Sequence, residues 1–394
     1  MNIPEALARI VEGQNLSQDN AADVFDQIMS GEATPGQIGA LLAALRVKGE
    51  TPEEIAGAAM TMRNLSTKVP VKSEVVVDTC GTGGSGSKLF NISTAAAFVA
   101  ASSGAKVAKH GNRKMTSFSG SADVLEAAGV ALALTPEQIA TCIDEIGVGF
   151  MFAQAHHSAM RFAGPIRQEI GIRTLMNVLG PMTNPAGATR QVIGVFSQDW
   201  QRKVAQVLQL LGSEHAMVVH SNGLDEIRLD APTHVVEVKQ GVITEYDMSP
   251  EDFGLSPRTP EENAAIIADS AETSLALVKQ SLVEVKQGVI TEYDMSPEDF
   301  GLAPRTREEN AAIVADSAET SLALVKQSLT DDGSAAADIV ALNAGAAIYV
   351  SGIANSMANG VAMAQDAISS GLANERLTEL VRITSLMSKT DTQS

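Results

Sequence analysis

The sequence predicts an α/β fold in which a small helical domain precedes a larger domain built on a mainly parallel sheet flanked by helices. Three observations carry this. Up to residue 68 the apolar residues recur at helical spacing and no strand signal interrupts them. From Val75 onward, short apolar runs alternate with helical stretches, the rhythm of βαβ units whose parallel sheet is covered on both faces. Beyond Asp331 the chain reads helical to its end.

Four amphipathic segments fill residues 1–70, with Asp19, Thr34 and Thr51 as expected caps; Glu54 follows Thr51 by three residues, the capping-box pattern. Helices from about residue 160 to 190 are expected to join this domain, and residues 71–394 to form the α/β domain. Its expected elements are a strand at Val75–Val77, a helix from about Ser93, a strand at Val107–Ala108, a helix near Asp123 and another from Pro136. Strands at Val192–Phe196 and Met217–His220 follow, with a helix at Asp199–Leu211 between them.

Residues 236–282 recur at once as residues 283–329, and only Ser256/Ala303, Pro260/Arg307 and Ile267/Val314 differ. A solenoid stacks three or more diverged units between atypical caps, so two near-identical copies inside a non-repetitive chain read as a tandem duplication. Each copy reads as a hairpin (Val236–Tyr246 in the first), a Ser-Pro-Glu-Asp turn and a helix (Glu261–Leu282 in the first, Glu308–Leu329 in the second).

The 394 residues are 45% hydrophobic and carry a net charge of −19, a foldable composition whose overall field repels free nucleic acid. The two cysteines, Cys80 and Cys142, exclude a disulfide framework and fit a reducing compartment. No apolar run has the length of a membrane span or the form of a signal peptide, so a cytoplasmic protein is expected.

Chemistry concentrates at three strand ends. After the first strand, Asp78-Thr79-Cys80-Gly81-Thr82-Gly83-Gly84-Ser85-Gly86 leads into a helix start, a phosphate cradle in which glycines admit the anion to backbone N–H groups. Gly81, Gly83 and Gly86 also satisfy a dinucleotide-binding pattern. Its acidic ribose partner about 20 residues on is replaced by the basic run Lys109-His110-Gly111-Asn112-Arg113, and Lys88 stands outside a Walker context. The second loop continues through Met115-Thr116-Ser117, whose hydroxyls suit phosphate oxygens, so the two loops together point to a ligand phosphorylated at two places. After a later strand, Asn222-Gly223 turns the chain so that Asp225 and Glu226 can serve one magnesium ion facing those phosphates. Arg167 and Arg173, near a Gly-Pro turn, suit the carboxylate of a small aromatic acid, although spacing alone favours structural ion pairs. His156 and His157 would diverge by about 100° on a helix and make no metal pair. Cys80 reads as a packed residue.

In that order, Gly81-Thr82-Gly83-Gly84, Asn91-Ile92-Ser93-Thr94, Lys109-His110-Gly111-Asn112-Arg113, Ser119-Gly120-Ser121-Ala122-Asp123, Arg173-Thr174, Leu179-Gly180-Pro181, Asn184-Pro185 and Gly223-Leu224-Asp225-Glu226 resemble the anthranilate phosphoribosyltransferases of tryptophan biosynthesis over nearly the whole chain. The resemblance implies a nucleoside phosphorylase/phosphoribosyltransferase-like fold, a homodimer, no nucleic-acid or membrane partner, and magnesium-dependent transfer of a phosphoribosyl group from phosphoribosyl diphosphate to anthranilate. It implies that Gly81, Gly84, Ser85, Leu89, Asn91, Ile92, Ser93 and Thr94, with Lys109, His110, Gly111, Asn112, Arg113, Lys114, Met115, Thr116, Ser117 and Ser121, bind phosphoribosyl diphosphate. Gly81, Asn112 and Arg167 would meet anthranilate, with His110, His157 and Pro181 along its path, and Ser93, Asp225 and Glu226 would bind Mg2+. No catalytic base is assigned. The chain departs from the family at Ser85, where an aspartate is usual, at Leu89, usually a hydroxyl residue, and at Phe118, usually a lysine. The alternatives are a pyrimidine nucleoside phosphorylase, expected to carry a K-x-S-D-R-like second loop, and a non-enzymatic nucleic-acid-binding relative, expected to show a basic stripe and no metal carboxylates. The family pattern has room for one copy of the repeat. The first hairpin and the second helix are expected to fill it, leaving the first helix and second strand looped out.

Overall fold

The computed structural model describes residues 1–83, 90–113, 120–255, 275 and 335–391. Four helices open the chain: α1 (Ile3–Val11), α2 (Gln18–Met29), α3 (Pro35–Lys48) and α4 (Pro52–Leu65). Each starts on a side chain that accepts a first-turn N–H, from Asn2, Ser17, Thr34 and Thr51 respectively. The cap of α2 is therefore Ser17 and not Asp19, which sits in the first turn where its charge meets the positive end of the helix. Glu54 is fully buried: it accepts the N–H groups of Leu16 and Thr51 and pairs with Lys48 at 3.0 Å, so one carboxylate ties α3, α4 and the α1–α2 turn together.

The larger region is a seven-stranded sheet of order β3-β2-β1-β4-β5-β6-β7, comprising β1 (Val77–Thr79), β2 (Val107–Gly111), β3 (Val148–Phe152), β4 (Arg190–Gly194), β5 (His215–His220), β6 (Thr233–Lys239) and β7 (Val242–Met248). The first five strands pair in parallel, and β6 and β7 add an antiparallel hairpin on the β5 side. β1 begins two residues later than expected: Val75 is exposed, and Val76, though buried, precedes the first residue that pairs with neighbouring strands. β2 runs three residues further, placing Lys109 and His110 in the strand itself. β3 is unanticipated: α7 (Pro136–Thr141) winds into a π-turn at Cys142–Ile146, and Gly147 is the only break before the strand.

Helix α5 (Ile92–Ser102) is buried along nearly its whole length by alanines, and their small side chains let α11 (Ala335–Ser351) pack closely on it across one face of the sheet. On the other face α10 (Gln201–Leu210) meets α4, and a single apolar core runs from the bundle (Phe25, Leu41) to the sheet (Ile193, Val218). Helix α9 (Met160–Ile170) packs on α2 and α3. The covering helices are completed by α6 (Ser121–Ala127), α8 (Ala153–His156), α12 (Met357–Ser369) and α13 (Leu372–Asp391). Among the described residues no helix is long and apolar enough to cross a membrane.

The first copy of the repeat supplies most of β6 and all of β7. Buried Glu237 on β6 gathers His215 of β5 at 2.6 Å, Tyr246 of β7 at 2.9 Å and Tyr349 of α11 at 3.0 Å. Those partners hold its carboxyl below the usual range against the opposing effect of burial. The helix of the first copy was expected to loop out. Leu275, its one described residue, is buried in the main core, and the rest of that helix lies outside the described residues. The second copy, residues 283–329, lies outside the described residues. Replacing Glu237 with Ala strips three polar groups of their shared acceptor and should lower stability by roughly 3 kcal/mol, read as a shifted urea midpoint with an unchanged slope.

Candidate active site

The carboxyl ends of β1, β2, β4 and β5 meet at one edge of the sheet, on either side of the point where strand order reverses. There a pocket of about 400 Å³ opens, with the helical bundle, α9 and the turn at Gly180–Met182 forming its far wall. Gly81, Asn91, Ser93, Lys109, His110, Gly111, Asn112, Arg113, Ser121, His157, Arg167, Pro181, Asp225 and Glu226 all line it. Ile92 and Thr94 do not. Ile92 is a core residue, and Thr94 is buried with its hydroxyl donating to Ser121 at 3.1 Å, so they position the loop and do not form its surface. Gly84, Ser85, Leu89, Lys114, Met115, Thr116, Ser117 and Phe118 lie outside the described residues.

Lys109 is the charge around which the site is arranged. Its side chain is buried, and its ammonium donates to the Thr79 carbonyl at 2.6 Å and to the Ser93 hydroxyl at 3.2 Å. Burial lowers its pKa, while the charges of Asp78 and Glu226 support the ammonium form. Asp78, on the other face of β1, accepts the His110 N–H at 3.1 Å and the Asn184 side-chain amide at 2.7 Å; burial raises its carboxyl to about 6.

The turn at 221–224 behaves as Asn222-Gly223 led us to expect: both residues take positive φ, and Ser221 and Leu224 exchange backbone hydrogen bonds across it. This brings Asp225 and Glu226 together inside the pocket. Burial and the Asp225 charge push the Glu226 carboxyl up to about 8. Two confined carboxyl groups beside a single ammonium form an oxygen donor set that fits a divalent cation, whose binding would draw the Glu226 proton off. Two residues that sequence reasoning missed hold this turn. Asn343 of α11 accepts the Ile227 N–H and donates to the Ile227 carbonyl; it is a lone amide in an alanine-rich helix, which is the signal that could have found it. Gly194, at the end of β4, accepts the Thr82 N–H at 2.8 Å, and a side chain there would place its Cβ 1.7 Å from the Asp225 carbonyl oxygen.

Arg113 lines the pocket, but its guanidinium pairs with Glu126 at 2.6 Å and Asp123 at 3.2 Å, and these bonds raise its pKa. Arg167 is half-buried and makes no ion pair among the described residues, against the structural reading that spacing favoured. Arg173 stacks on Phe196 at 4.2 Å. The ring of His157 meets that of His110 edge-on at 5.1 Å, while His156 turns away to the Thr67 carbonyl at 2.8 Å, so the two histidines diverge as the helix geometry requires. Burial pushes His110 down to about 3 and His157 to about 4, leaving two neutral imidazoles beside the pocket. Cys80 is half-buried, and burial together with nearby carboxylates drives its thiol far above the ordinary range, so the free thiol is protonated.

A helical bundle beside the carboxyl edge of a mainly parallel sheet is the architecture of a glycosyl transferase family. Residues 4–66 match the helical bundle domain of the glycosyl transferase family, and residues 73–275 and 258–374 match its a/b domain. An anthranilate phosphoribosyltransferase from Teredinibacter turnerae is 50% identical over 387 residues, covering 98% of this chain and all of that protein. The crystal structure of the Thermus thermophilus anthranilate phosphoribosyltransferase is 37% identical, with a TM-score of 0.80 over 96% of this chain and 99% of that one. The chain belongs to the anthranilate phosphoribosyltransferase family. The Saccharomyces cerevisiae enzyme, solved in complex with PRPP and Mg, shares the fold at 22% identity, with a TM-score of 0.77 over 97% of this chain and 98% of that one.

Two outcomes follow for this site. Gly194→Ala should weaken Mg2+ binding at least tenfold, about 1.4 kcal/mol, in calorimetric titration while circular dichroism stays unchanged. The Glu226 carboxyl, pushed up to about 8, predicts that Mg2+ affinity climbs from pH 6 to pH 8 and levels off above. Calorimetry in buffers of different ionisation enthalpy should find close to one proton released per ion at pH 7.

Proposed function

We propose that this protein transfers the phosphoribosyl group of 5-phosphoribosyl 1-diphosphate to the amine of anthranilate, giving N-(5-phosphoribosyl)anthranilate and diphosphate in tryptophan biosynthesis. The observation that carries the reading is the convergence of the glycine loop, the Lys109 strand end and the Asp225-Glu226 turn on one pocket. Bond breaking at the anomeric carbon leaves positive charge on the ribose and negative charge on the departing diphosphate. Fixed donors at the diphosphate end therefore stabilise what changes in the transition state. Gly81 and Gly83 of the glycine loop, the Lys109 ammonium and the Asn91 and Ser93 side chains line the pocket there. Ser93, Asp225 and Glu226 would hold Mg2+, which when bound neutralises the diphosphate as it leaves. The aromatic acid enters from the bundle side. Arg167, without an ion-pair partner among the described residues, receives its carboxylate, while Gly81 and Asn112 border its ring and Pro181 and the neutral His110 and His157 wall the approach. The amine attacks as the neutral base and afterwards loses its proton to water; no side chain is assigned as base.

The same reading takes residues 1–70 with the 160–190 segment as one domain and 71–394 as the other, the enzyme as a cytoplasmic homodimer, and residues 236–329 as a tandem duplication. Leu275 supports the first copy, both hairpin and helix, as the unit that fills the fold. Neither rival is favoured: the second strand end reads Lys109-His110-Gly111-Asn112-Arg113, and Asp225 and Glu226 remain in the pocket.

Purified protein given Mg2+ and both substrates should consume anthranilate fluorescence and release diphosphate in equal amounts, and the absence of phosphoribosylanthranilate would sink the assignment. Glu226→Gln should lower kcat/KM by at least a hundredfold, roughly 2.7 kcal/mol, and abolish the response to added Mg2+. Deleting residues 283–329 should leave kcat/KM within twofold and raise the soluble yield; a deletion that prevents folding would show the second copy to be integrated.

A further inference from the structure

One constellation in the pocket wall brings together donors that the phosphoribosyl transfer does not use as metal ligands. Asp78 and Cys80 stand two residues apart at the end of β1 and face the same side of the sheet, and His110 adjoins them on β2. A carboxylate oxygen, the thiol sulfur and an imidazole nitrogen from these three residues lie within 4.8 Å of one another. Lys109 and Thr79 alternate to the other face, where the ammonium is engaged by the Thr79 carbonyl and Ser93.

Each donor is suited to a metal. His110 is 3% exposed and neither ring nitrogen has a hydrogen-bond partner; the Gly180 backbone stands near the ring without closing a bond. An unprotonated imidazole with a free lone pair is the form that binds metals. Asp78 is oriented by the His110 N–H and the Asn184 amide, the outer support that metal-binding carboxylates need. Burial, aided by the nearby acidic groups, holds the Cys80 thiol in its protonated form, and a dication bound to the sulfur reverses that preference.

We propose that Asp78, Cys80 and His110 form a site for a thiophilic divalent cation, Zn2+ or Cd2+, in the pocket wall and separate from the Asp225-Glu226 pair. Binding replaces the Cys80 S–H bond with a sulfur–metal bond. The proton passes to buffer and the metal stays divalent, so no redox partner is needed. Sulfur and nitrogen donors select zinc or cadmium over magnesium, which takes oxygen ligands. Three protein ligands leave a fourth position open to the pocket. Because Cys80 and His110 border the space beside Gly81 and Asn112, an ion there obstructs the aromatic acceptor. That inhibitory consequence rests on the proposed function; the binding does not.

The test uses the metal-free full-length protein titrated with Cd2+ alone, followed by the ultraviolet charge-transfer band of a cadmium–thiolate bond. One equivalent should saturate the band. It should survive in Cys142→Ala and Glu226→Gln, vanish in Cys80→Ser, and need at least tenfold more Cd2+ in His110→Asn. Absence of the band in the parent protein, or its persistence in Cys80→Ser, overturns the site. In assays saturated with Mg2+, Zn2+ should raise the apparent KM for anthranilate at least tenfold, with relief by chelator and no effect on Cys80→Ser. Equal inhibition of Cys80→Ser overturns the inhibitory role. A protein that forms the band yet makes no phosphoribosylanthranilate keeps the site and loses the proposed function.

Discussion

The structure depends on a buried ammonium. Lys109 lies in the interior at the end of β2, where an uncompensated cation would cost several kcal/mol, and the groups that make it tolerable are the groups that make the site. The Thr79 carbonyl fixes it to β1, the Ser93 hydroxyl fixes it to the start of α5, and Asp78 supplies opposite charge from a further direction. The dependence is mutual: the ammonium works against the burial and the Asp225 charge that push the Glu226 carboxyl up. Lys109 is thus at once a ligand donor and the element that keeps an acidic turn folded against a glycine loop.

Such an arrangement needs four strand ends at one level, which a parallel sheet supplies. β1, β2, β4 and β5 run in the same direction, so their carboxyl termini deliver the glycine loop, Lys109, Gly194 and the acidic turn to a common edge. The fit is close enough to forbid a single methyl group. Gly194 lacks a side chain because Asp225 passes directly over it, and its carbonyl receives the Thr82 N–H, so one position sets the spacing between phosphate loop and acidic turn. Asn343 sets the turn's height above the sheet by reading both the N–H and the C=O of Ile227. That contact couples the site to a helix that begins more than 100 residues further along the chain.

The division between what the residues announce and what they conceal follows the range of the interaction. Helix caps at Thr34 and Thr51, the turn at Asn222-Gly223 and the glycine loop are local events, decided by side chains within a few residues, and they are legible in the chain. The cap at Ser17 was displaced to Asp19 because both residue types suit the role, and only the hydrogen bond to Asn20 separates them. β3 escaped notice because a π-turn carries no sequence mark that separates it from a continuing helix. Gly194, Asn343 and the Phe196 stack under Arg173 are long-range facts. Nothing beside Gly194 in the chain hints that Asp225 will cross it, and a buried asparagine declares its purpose only when its partner is in place. Arg167 stood between two readings that differ solely in whether a carboxylate folds against it, a question of tertiary structure.

The repeat poses the reverse problem, because there local sequence is no guide at all. Residues 236–248 and 283–295 are identical, so either segment carries the same pairing energy for the edge of β5. Loop closure separates them little, since doubling a connection costs only about 0.6 kcal/mol. The distinction has to come from the three residues just before the repeat boundary, which are Thr233-His234-Val235 for the first copy and Gln280-Ser281-Leu282 for the second. Thr233 is buried with its hydroxyl accepting the Arg228 N–H, His234 bonds Asp247 across the hairpin at 2.8 Å, and Val235 is fully buried. Leucine could replace valine in that core at modest cost. Glutamine and serine cannot reproduce the other two contacts, each a hydrogen bond contributing roughly 1 kcal/mol. A preference of that size suffices to seat the first hairpin on the sheet, and it explains how a chain with two equal claimants for one edge still reaches a single arrangement of its pocket.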